Sequence, residues 1–346
     1  MTTANSPVAD GRILVPGGYG AVGTAVAAIL GQWFPGRVVP GGRSADRARQ
    51  HGGVRVDVND PQDFRTVLDR LGDVGAVVLC VEPPDESVAR ACLERGVHLV
   101  DIGADERLLG AVAALHDTAL DSGASAVLSV GVAPGLSNLL ARRAHEEVGG
   151  AQRIDLTVLL GSGERHGADA VRWTVAGLAA PTTARPLRVE LPGHGLRTAH
   201  PFPFSDQHTL TGTLGVPRVT TRLCLDSRAA TALLFGLRRT GLLRAADRPL
   251  PRRLLTDALG RVHLGGDAFV VRADAYRDGL HVARVARGLR QSRFTALVAA
   301  HVARHLLTGG PAPGVRHVEE VPALADLPER LAGDGLTVLR LTDGPR

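Results

Sequence analysis

The stretch PGGYGAVG, residues 16–23, carries the strongest structural signal in the chain. It follows an apolar run and precedes a segment of small and apolar residues that predicts a helix. Its glycines are spaced G-x-G-x-x-G: the first makes a tight turn, the second lets a pyrophosphate approach, and the third lets the helix pack closely. The stretch therefore predicts a dinucleotide-binding turn at a helix N-terminus. The residues expected to contact the dinucleotide are Gly18, Tyr19, Gly20, Ala21, Val22 and Gly23.

Outward from this turn, short apolar runs alternate with helical patterns from residue 12 to about residue 160. The predicted strands are 12–15, 37–39, 54–58, 76–81, 97–102 and 126–130. The predicted helices are 22–33, 61–71, 85–95, 105–121 and 134–147. Nearly continuous apolar strands separated by helices indicate βαβ units and a parallel sheet covered on both faces. Residues 1–150 are therefore predicted to form a doubly wound Rossmann domain of the α/β class.

The tip of the second predicted strand indicates which dinucleotide binds. An enzyme that uses NAD places Asp or Glu there, about 20 residues after the glycines, on the ribose 2′-hydroxyl. This chain instead has Arg43 and Ser44, a guanidinium and a hydroxyl that suit a 2′-phosphate. We therefore predict NADP, with NAD as the alternative. Asp57, after the third strand, either contacts the adenine end or caps the helix that begins at Pro61.

Other predicted contacts follow the fourth and sixth strands. Ligands of open α/β sheets bind outside the carboxyl ends of the strands. Val81, Glu82 and Pro83 stand at the end of strand 76–81, and Gly131 follows strand 126–130. We expect Val81, Pro83 and Gly131 to line the cofactor site. Glu82 either faces the substrate or only stiffens its proline-rich loop.

After about residue 150 the pattern changes to mixed segments without a second glycine motif. Residues 154–160, 219–225 and 268–273 predict strands, and residues 227–245 and 293–307 predict helices. Residues 151–289 are therefore predicted to form an α+β domain that binds substrate and supplies a homodimer contact. The C-terminal helices, within residues 290–346, are predicted to pack back onto the first domain.

The composition excludes several chemistries. The chain has 40 Lys+Arg residues, and every one of them is an arginine. Without lysine there is no lysine Schiff base, no P-loop lysine on a nucleotide phosphate and no Tyr-x-x-x-Lys reductase site. Aromatic residues make up only 3% of the chain and its arginines are scattered, which argues against nucleic-acid binding.

The cysteines and the N-terminus indicate the compartment. Cys80, Cys92 and Cys224 lie far apart among apolar residues, which is typical of reduced core thiols in a cytosolic protein. The N-terminus does not look like a signal peptide, and no apolar run approaches the roughly 18 residues of a membrane span. We therefore expect a cytoplasmic protein that acts on a small molecule and binds no membrane.

A series of motifs, in this order, resembles the saccharopine dehydrogenase-like NAD(P)-dependent reductases. After the glycine turn and Gly42-Arg43-Ser44 come VDVND at 56–60, VDIGADE at 100–106 and GVAPGLSN at 131–138. Trp173-Thr174 then matches a Trp-Ser/Thr pair of that family, and PGV at 313–315 fits its last segment. The resemblance covers residues 1–180 well and the end of the chain loosely.

The resemblance implies hydride transfer with NADP to or from a C=N or C=O bond, often an imine formed by an amino acid and a carbonyl compound. It also implies that substrate binds between the two domains. Relatives carry a polar or tyrosine-bearing segment where this chain has DIGA at 101–104, which argues against saccharopine itself as substrate. Two other hypotheses stay open: an NADP-binding sensor without turnover, and a reductase of polyketide- or quinone-type substrates.

Hydride transfer to such a bond needs a proton donor. With no lysine and two tyrosines in the chain, the candidates are histidines, carboxylates and water. We predict catalytic roles for His166, in a glycine-rich loop, and for Asp206 and His208, which form a polar pair in a predicted loop. Each of them could instead be a structural or surface residue. The histidines of this region are irregularly spaced and no cysteine is near, so no metal site is predicted.

Two neighbouring residues are candidates for the substrate site. The planar guanidinium of Arg172 suits a substrate carboxylate, although a solvent-facing position on its helix is equally consistent with the sequence. Trp173 either lines the substrate pocket or belongs to the core.

Overall fold

The computed structural model describes residues 11–164, 168–239, 265–310 and 312–342. Its strands are β1 (Arg12–Pro16), β2 (Val38–Gly42), β3 (Val54–Arg55), β4 (Val74–Leu79), β5 (His98–Asp101), β6 (Ser125–Leu128), β7 (Arg153–Leu160), β8 (Leu187–Leu191), β9 (Gly195–Pro201), β10 (Val219–Leu225), β11 (Ala268–Arg277), β12 (Leu280–Leu289), β13 (Gly314–His317) and β14 (Thr337–Thr342). Its helices are α1 (Ala21–Trp33), α2 (Ala45–Gln50), α3 (Pro61–Leu71), α4 (Ser87–Leu93), α5 (Glu106–Ala113), α6 (His116–Ser122), α7 (Leu136–Glu147), α8 (Ala168–Ala179), α9 (Asp206–Thr213), α10 (Arg228–Arg239), α11 (Gln291–Thr308) and α12 (Leu327–Arg330). None of these helices is long and apolar enough to cross a membrane.

The first sheet is a parallel Rossmann sheet with one additional strand. Its order is β13-β6-β5-β4-β1-β2-β3, and every neighbouring pair is parallel. The connections reverse direction beside β1, which is the switch point where such sheets bind ligands. Ile13, Leu14 and Val15 are fully buried, as expected for a strand covered on both faces. The predicted doubly wound α/β sheet is confirmed.

Helix boundaries in this part follow local chemistry. Helix α3 begins as predicted, because Pro61 occupies its first turn and Asp60 accepts hydrogen bonds from the next two backbone N–H groups. The single helix predicted over 105–121 is divided into α5 and α6, and Leu115 at the break is buried in the core. Helix α7 begins at Leu136 because Gly135, at φ 136°, has a non-helical backbone.

The second sheet is mixed. Its order is β14-β12-β11-β7-β10-β9-β8, in which only β7 and β10 are parallel. Helix α7 packs on β11 and β12, and Ile154, Leu156 and Val158 of β7 are buried. The sequence pattern predicts β7, β10 and most of β11 but misses β8, β9, β12 and β14. The predicted mixed α+β second part is confirmed as a class of fold.

The chain divides into two compact units. The first extends to Gly131 and includes Thr295–Leu324; the second comprises Val132–Phe294 and the residues from Ala325 onward. The boundary between the units lies before the predicted boundary at residue 150, because α7 packs on the second sheet. Helix α7 follows the last strand that was predicted for the first domain. The C-terminal part is shared, since β13 pairs with β6 whereas β14 pairs with β12.

Candidate cofactor site and active site

The glycine turn has the steric requirements that its spacing predicts. A Cβ atom at Gly18 would lie 2.7 Å from the carbonyl oxygen of Val15, and one at Gly23 only 2.2 Å from that of Gly17. A Cβ at Gly20 would meet a single atom, 3.2 Å away, and Gly20 is exposed. The backbone at Gly18 and Gly23 is therefore packed against other backbone atoms, with no room for a side chain. At Gly20 it is accessible, and a pyrophosphate could approach there.

Gly17 is a fourth glycine that this turn requires and that the motif does not include. Its φ is +80°, and a Cβ atom there would lie 2.6 Å from the carbonyl oxygen of Cys80 and 3.2 Å from Cβ of Val81. The turn therefore lies directly against the chain that leaves β4. The adjacent Gly17-Gly18 pair is the signal in the sequence that could have indicated this contact.

The N-terminus of α1 provides the anion-binding part of the site. Gly20 is its N-cap, no side chain caps the helix, and its first turn contains no acidic residue. The first amides of an α-helix have no partner within the helix, and the helix dipole favours a negative charge at this end. The residues present therefore fit a dinucleotide, whose pyrophosphate the amides around Gly20, Ala21 and Val22 would hold.

Tyr19 connects the turn to the tips of β2 and β3. Its hydroxyl lies within hydrogen-bonding distance of two carbonyl oxygens, those of Pro40 at 3.0 Å and Val54 at 3.2 Å, and its ring stacks on His51. Its ring also leaves no room for a side chain at Gly42, since a Cβ there would lie 2.7 Å from it. Tyr19 therefore braces the site, while its half-buried ring remains a proposed contact of the cofactor.

Arg43 and Ser44 stand at the tip of β2, as predicted. Ser44 is the N-cap of α2, where its hydroxyl oxygen accepts a hydrogen bond from the Arg47 amide at 3.3 Å, so its own proton is still available to donate. Arg43 is exposed and forms no ion pair in the described part of the chain. Arg47, which sequence reasoning missed, donates from its guanidinium to the carbonyl oxygen of Tyr19 at 3.3 Å. Two arginines thus flank the site where a 2′-phosphate is predicted.

Asp57 does not cap the helix that follows it, so that interpretation is wrong. Its carboxylate accepts hydrogen bonds from the backbone and side-chain nitrogens of Asn59, at 3.0 and 2.8 Å, and Asp60 is the N-cap of α3. The physical reason is distance along the chain, because Asp60 directly precedes the first helical residue. Contact of Asp57 with the adenine end stays a prediction.

The other predicted cofactor and substrate contacts of the first unit lie past the ends of β4 and β6. Val81 is half-buried and lies beside Gly17. Glu82 is exposed, whereas Pro83 and Gly131 are buried.

Two ionisable groups at the same sheet edge were missed from the sequence. Asp101, the last residue of β5, is 2% exposed, and burial raises its pKa from 3.8 to about 6 although its Oδ1 accepts a hydrogen bond from the Gly103 amide. Cys80 follows β4; burial and the Asp101 carboxylate raise the pKa of this free thiol. The thiol is therefore not ionised at neutral pH, and Asp101 is the acid–base group of this pair.

A serine and a histidine meet at the ends of β6 and β13. The hydroxyl oxygen of Ser129 lies 2.9 Å from Nδ1 of His317. Ser129 is fully buried and has φ 58°, in the left-handed region. Burial lowers the pKa of His317, and the neighbouring Glu320 carboxylate partly opposes that shift. Sequence reasoning missed this pair because the two residues are far apart in the chain and only the pairing of β13 with β6 joins them.

Asp206 and His208 lie on helix α9, so the predicted loop is wrong. Asp206 is fully buried, its Oδ1 accepts a hydrogen bond from Thr221 at 2.5 Å, and its Oδ2 has no partner among the described residues. Burial raises its pKa to about 6, and the hydrogen bond from Thr221 opposes that shift. His208 is exposed on the same helix. The helix therefore carries a buried acid and an exposed histidine, and their action as a catalytic pair stays a prediction.

Trp173 packs in an aromatic cluster of the second unit. Its ring centroid lies 4.9 Å from that of Phe202 and 5.0 Å from that of Phe204, and it remains half-buried. Most of its contacts are therefore those of a core residue, which is one of the two roles that the sequence leaves open. Arg172 is a residue of α8. His166 lies outside the described residues.

A parallel Rossmann sheet with a dinucleotide turn at its switch point defines the class of NAD(P)-dependent oxidoreductases, to which this protein belongs. Residues 13–127 match the family model of the saccharopine dehydrogenase NADP binding domain. This part of the chain is therefore similar to the NADP binding domain of saccharopine dehydrogenases, and the resemblance read from the sequence motifs is confirmed.

Solved structures extend the similarity in fold to most of the chain. The DAP dehydrogenase of C. glutamicum, in complex with DAP, is 16% identical with a TM-score of 0.51; the match covers 94% of this chain and 98% of that one. An engineered D-amino acid dehydrogenase bound to NADP⁺ is also 16% identical with a TM-score of 0.51, over 93% of this chain and 98% of that one. At this level of identity the two structures show a shared fold.

Proposed function

We propose that the protein uses NADP(H) to move a hydride to or from a C=N or C=O bond of a small metabolite. The observation that carries the proposal is the uncapped helix N-terminus at the glycine turn, with Arg43, Ser44 and Arg47 beside it and no acidic residue at the tip of β2. A ribose 2′-phosphate is a dianion, and guanidinium groups bind phosphate with paired hydrogen bonds. An NAD site would carry a carboxylate in that position.

The chain must supply the proton while a bound nicotinamide supplies or takes the hydride. Of the three residues predicted as catalytic, Asp206 has the surroundings of an acid, because its pKa of about 6 leaves part of it protonated near neutral pH. The free Oδ2 can carry that proton. His208, exposed on the same helix, stays a candidate, and His166 lies outside the described residues.

We propose a substrate that bears a carboxylate, derived from an amino acid or a keto acid. Arg172 is the proposed anchor for that carboxylate, with Trp173 and Glu82 as proposed neighbours of the substrate. The fold agrees with this choice, since enzymes named DAP dehydrogenase and D-amino acid dehydrogenase share it.

The cofactor part of the proposal is tested by charge reversal at Arg43. Arg43→Asp removes a charge-assisted contact worth about 1.5–3 kcal/mol, so we expect NADPH affinity to fall about 10–100-fold while NADH affinity stays within about twofold. Fluorescence titration with both cofactors measures this. Arg49→Gln is the control, because Arg49 is on α2, the helix that follows Arg43, is 73% exposed and pairs with Asp46. An unchanged NADPH preference in Arg43→Asp would rule out the assignment.

The reaction part is tested by turnover. The wild-type protein is incubated with NADPH and keto acids, with and without ammonia or amino acids as amine donors, and with NADP⁺ and amino acids in the opposite direction. Absorbance of the reduced nicotinamide reports turnover. Tight NADPH binding without turnover of any of these compounds would favour the sensor hypothesis.

A further inference from the structure

The second unit has a cavity of about 350 Å³ at the turn between β11 and β12. We call it the arginine cavity, because it is lined by Arg153, Arg218 and Arg277. These residues come from the start of β7, from the position before β10 and from the end of β11. A volume of this size accommodates a small molecule. Of the residues proposed above for cofactor or substrate, none in the described part of the chain lines this cavity.

The lining of the arginine cavity is positively charged. Against its three arginines stands one carboxylate, that of Asp278, which leaves an excess of two positive charges. The Asp278 side chain is 68% exposed and already has partners: one oxygen accepts a hydrogen bond from the Gln152 amide at 3.0 Å, and the other lies 3.3 Å from Nε of Arg277. A concave site with an excess of one charge attracts ions of the opposite sign.

Arg218 brings a guanidinium that no other described residue binds. Its backbone is fixed, because its carbonyl oxygen accepts a hydrogen bond from the Ile154 amide at 2.9 Å, beside the paired strands β7 and β10. Its side chain is exposed and has no ion pair or hydrogen bond within the described part of the chain. A guanidinium presents five N–H donors. Arg218 is therefore available to bind an anion in the cavity.

Arg277 lies against the glycine pair that follows α7. A Cβ atom at Gly150 would lie 3.1 Å from a guanidinium nitrogen of Arg277, and one at Gly149 would lie 3.6 Å from it. The lack of side chains at these two positions therefore lets the guanidinium approach the backbone. Its ion pair with the exposed Asp278 is of the weak kind that solvent screens. An anion in the cavity can compete for Arg277 for that reason.

Tyr276, the aromatic residue of the lining, limits what the ligand can be. The Arg153 guanidinium lies 4.0 Å from the centroid of the Tyr276 ring, and the His281 ring stacks on it with centroids 4.6 Å apart. Arg153 and His281 are the register partners of Tyr276 on β7 and β12, the strands on either side of β11. They therefore occupy opposite faces of the ring, which leaves neither face for a nucleobase or another aromatic ligand.

We propose that the arginine cavity binds a small, non-aromatic anion that carries phosphate or carboxylate groups, with Arg218 and Arg277 as its ligating residues. Guanidinium groups bind both kinds of anion with paired, charge-assisted hydrogen bonds. Arg153 adds positive charge while it holds Tyr276. Two separate guanidiniums favour a ligand with two anionic groups over a single small ion. The cavity is formed by the second unit, and binding there requires neither the proposed cofactor nor the proposed substrate.

Calorimetric titration of the full chain with pyrophosphate and with citrate, at constant ionic strength set by sodium chloride, tests the proposal. Binding of pyrophosphate alone identifies a phosphate site, and binding of citrate alone a carboxylate site. Arg218→Gln and Arg277→Gln should each weaken binding about 5–10-fold, between the effects known for exposed and buried charged pairs. Arg188→Gln is the matched control, because Arg188 is an exposed arginine of β8 in the same sheet and does not line the cavity. Its affinity should equal that of wild type.

A repeat of the titration with saturating NADPH separates the cavity from the glycine turn. Binding that persists with NADPH and is weakened by Arg218→Gln supports the proposal. Binding that NADPH abolishes and that Arg218→Gln leaves unchanged would place the anion at the cofactor site and overturn it. Absence of binding by both probes, or an equal loss in Arg188→Gln, would also overturn it. If the wild type does not bind NADPH, the proposed function fails, whereas the arginine variants still decide whether the cavity binds anions.

Discussion

The two edges of the first sheet use the same residue types in different ways. At the amino edge, the Ser125 amide donates to Nδ1 of His98 at 3.0 Å and the Ser125 hydroxyl donates to the carbonyl oxygen of Ala312 at 3.1 Å. Nδ1 of His116 likewise lies 3.2 Å from the backbone of Val315. Each side chain here satisfies a main-chain group that would otherwise be buried without a partner.

At the carboxyl edge two side chains contact each other. Ser129 meets His317 there, and Asp101 is a buried carboxyl whose ionised form the surroundings disfavour. Ser129 also carries the backbone strain described above. None of these features adds a hydrogen bond to the strand ladders. Strain and buried charge of this kind cluster at functional sites, and we therefore propose that this edge is functional and the amino edge structural.

Asp101 offers the largest expected effect on stability. Its pKa is about 6 in the folded protein, against 3.8 for an aspartate in an unfolded chain, so its contribution to stability is full below pH 3.8 and is lost as pH rises through 6. At pH 7 this loss is up to about 3 kcal/mol. Asp101→Asn keeps the acceptor for Gly103 and should therefore raise the free energy of unfolding at pH 7 and flatten its decline between pH 4 and 7.

Urea denaturation at pH 4.5 and 7.5 measures this effect. The amino edge provides the control, since Asp73 is 59% exposed and pairs with Arg12 at 3.2 Å. Asp73→Asn should change the free energy of unfolding by less than about 1 kcal/mol at either pH. If the free energy of unfolding depended on pH equally in wild type and Asp101→Asn, burial of the Asp101 carboxyl would not destabilise the protein.

Two crowded glycines extend the comparison to ligand binding. A Cβ atom at Gly23, behind the carboxyl edge, would lie 2.2 Å from the Gly17 carbonyl oxygen, and one at Gly11, before β1, would lie 2.6 Å from that of Asp73. Gly23→Ala must displace α1 from the turn, so we expect NADPH affinity to fall about 100-fold, or about 2.7 kcal/mol. Gly11→Ala should instead destabilise the fold by about 1–3 kcal/mol through overpacking.

Cofactor titration and urea denaturation of both variants separate these effects. The comparison predicts that Gly11→Ala, measured at a temperature where it is folded, binds NADPH with wild-type affinity. A similar loss of NADPH affinity in both variants would mean that the two edges do not divide binding from stability.

Much of the first sheet could be predicted because its strands are buried on both faces. Such strands are continuous apolar runs, and β1 and β4 to β6 are separated by amphipathic helices. The second sheet is harder to predict, because β12 reads LHVARVARGL and the stretch that contains β8 and β9 is rich in proline and histidine. Three of its strands were missed for that reason, and β14 was missed as well. Strand β13 escaped prediction because its partner, β6, is remote in the chain.

The residues of the candidate site also differ in how far the sequence predicts them. The glycines, Arg43 and Ser44 follow from local spacing, since a turn and a strand tip are set by a few consecutive residues. The contact of Ser129 with His317 depends on a long-range strand pairing, which local patterns do not encode. Burial of Asp206 was also hidden, because the segment FSDQH is polar and resembles an exposed loop. Tertiary packing alone turns it into a helix with one buried carboxyl.

A substitution at His98 tests how a buried titratable group at the amino edge affects stability. Burial lowers its pKa, so the folded state resists its protonation and stability is lost as pH falls below about 6.5, where the unfolded chain takes up the proton. His98→Asn keeps an acceptor for Ser125 and should make unfolding less sensitive to pH between 6.5 and 5. Thermal melts over that range measure this, and turnover at pH 7 should match wild type. A loss of turnover would place His98 in the reaction.

The smallest expected difference compares the two serines directly. Ser125→Ala removes a hydroxyl from an unstrained backbone and should lower the free energy of unfolding by about 1 kcal/mol, the usual net worth of one hydrogen bond. Ser129→Gly also loses a hydrogen bond, but it relieves a left-handed φ, so its net change should be smaller. Urea denaturation of the two variants at pH 7.5 is sufficient. If Ser129→Gly were the more destabilising, its hydroxyl would be holding the fold, and the carboxyl edge would differ less from the amino edge than its strain and buried charge indicate.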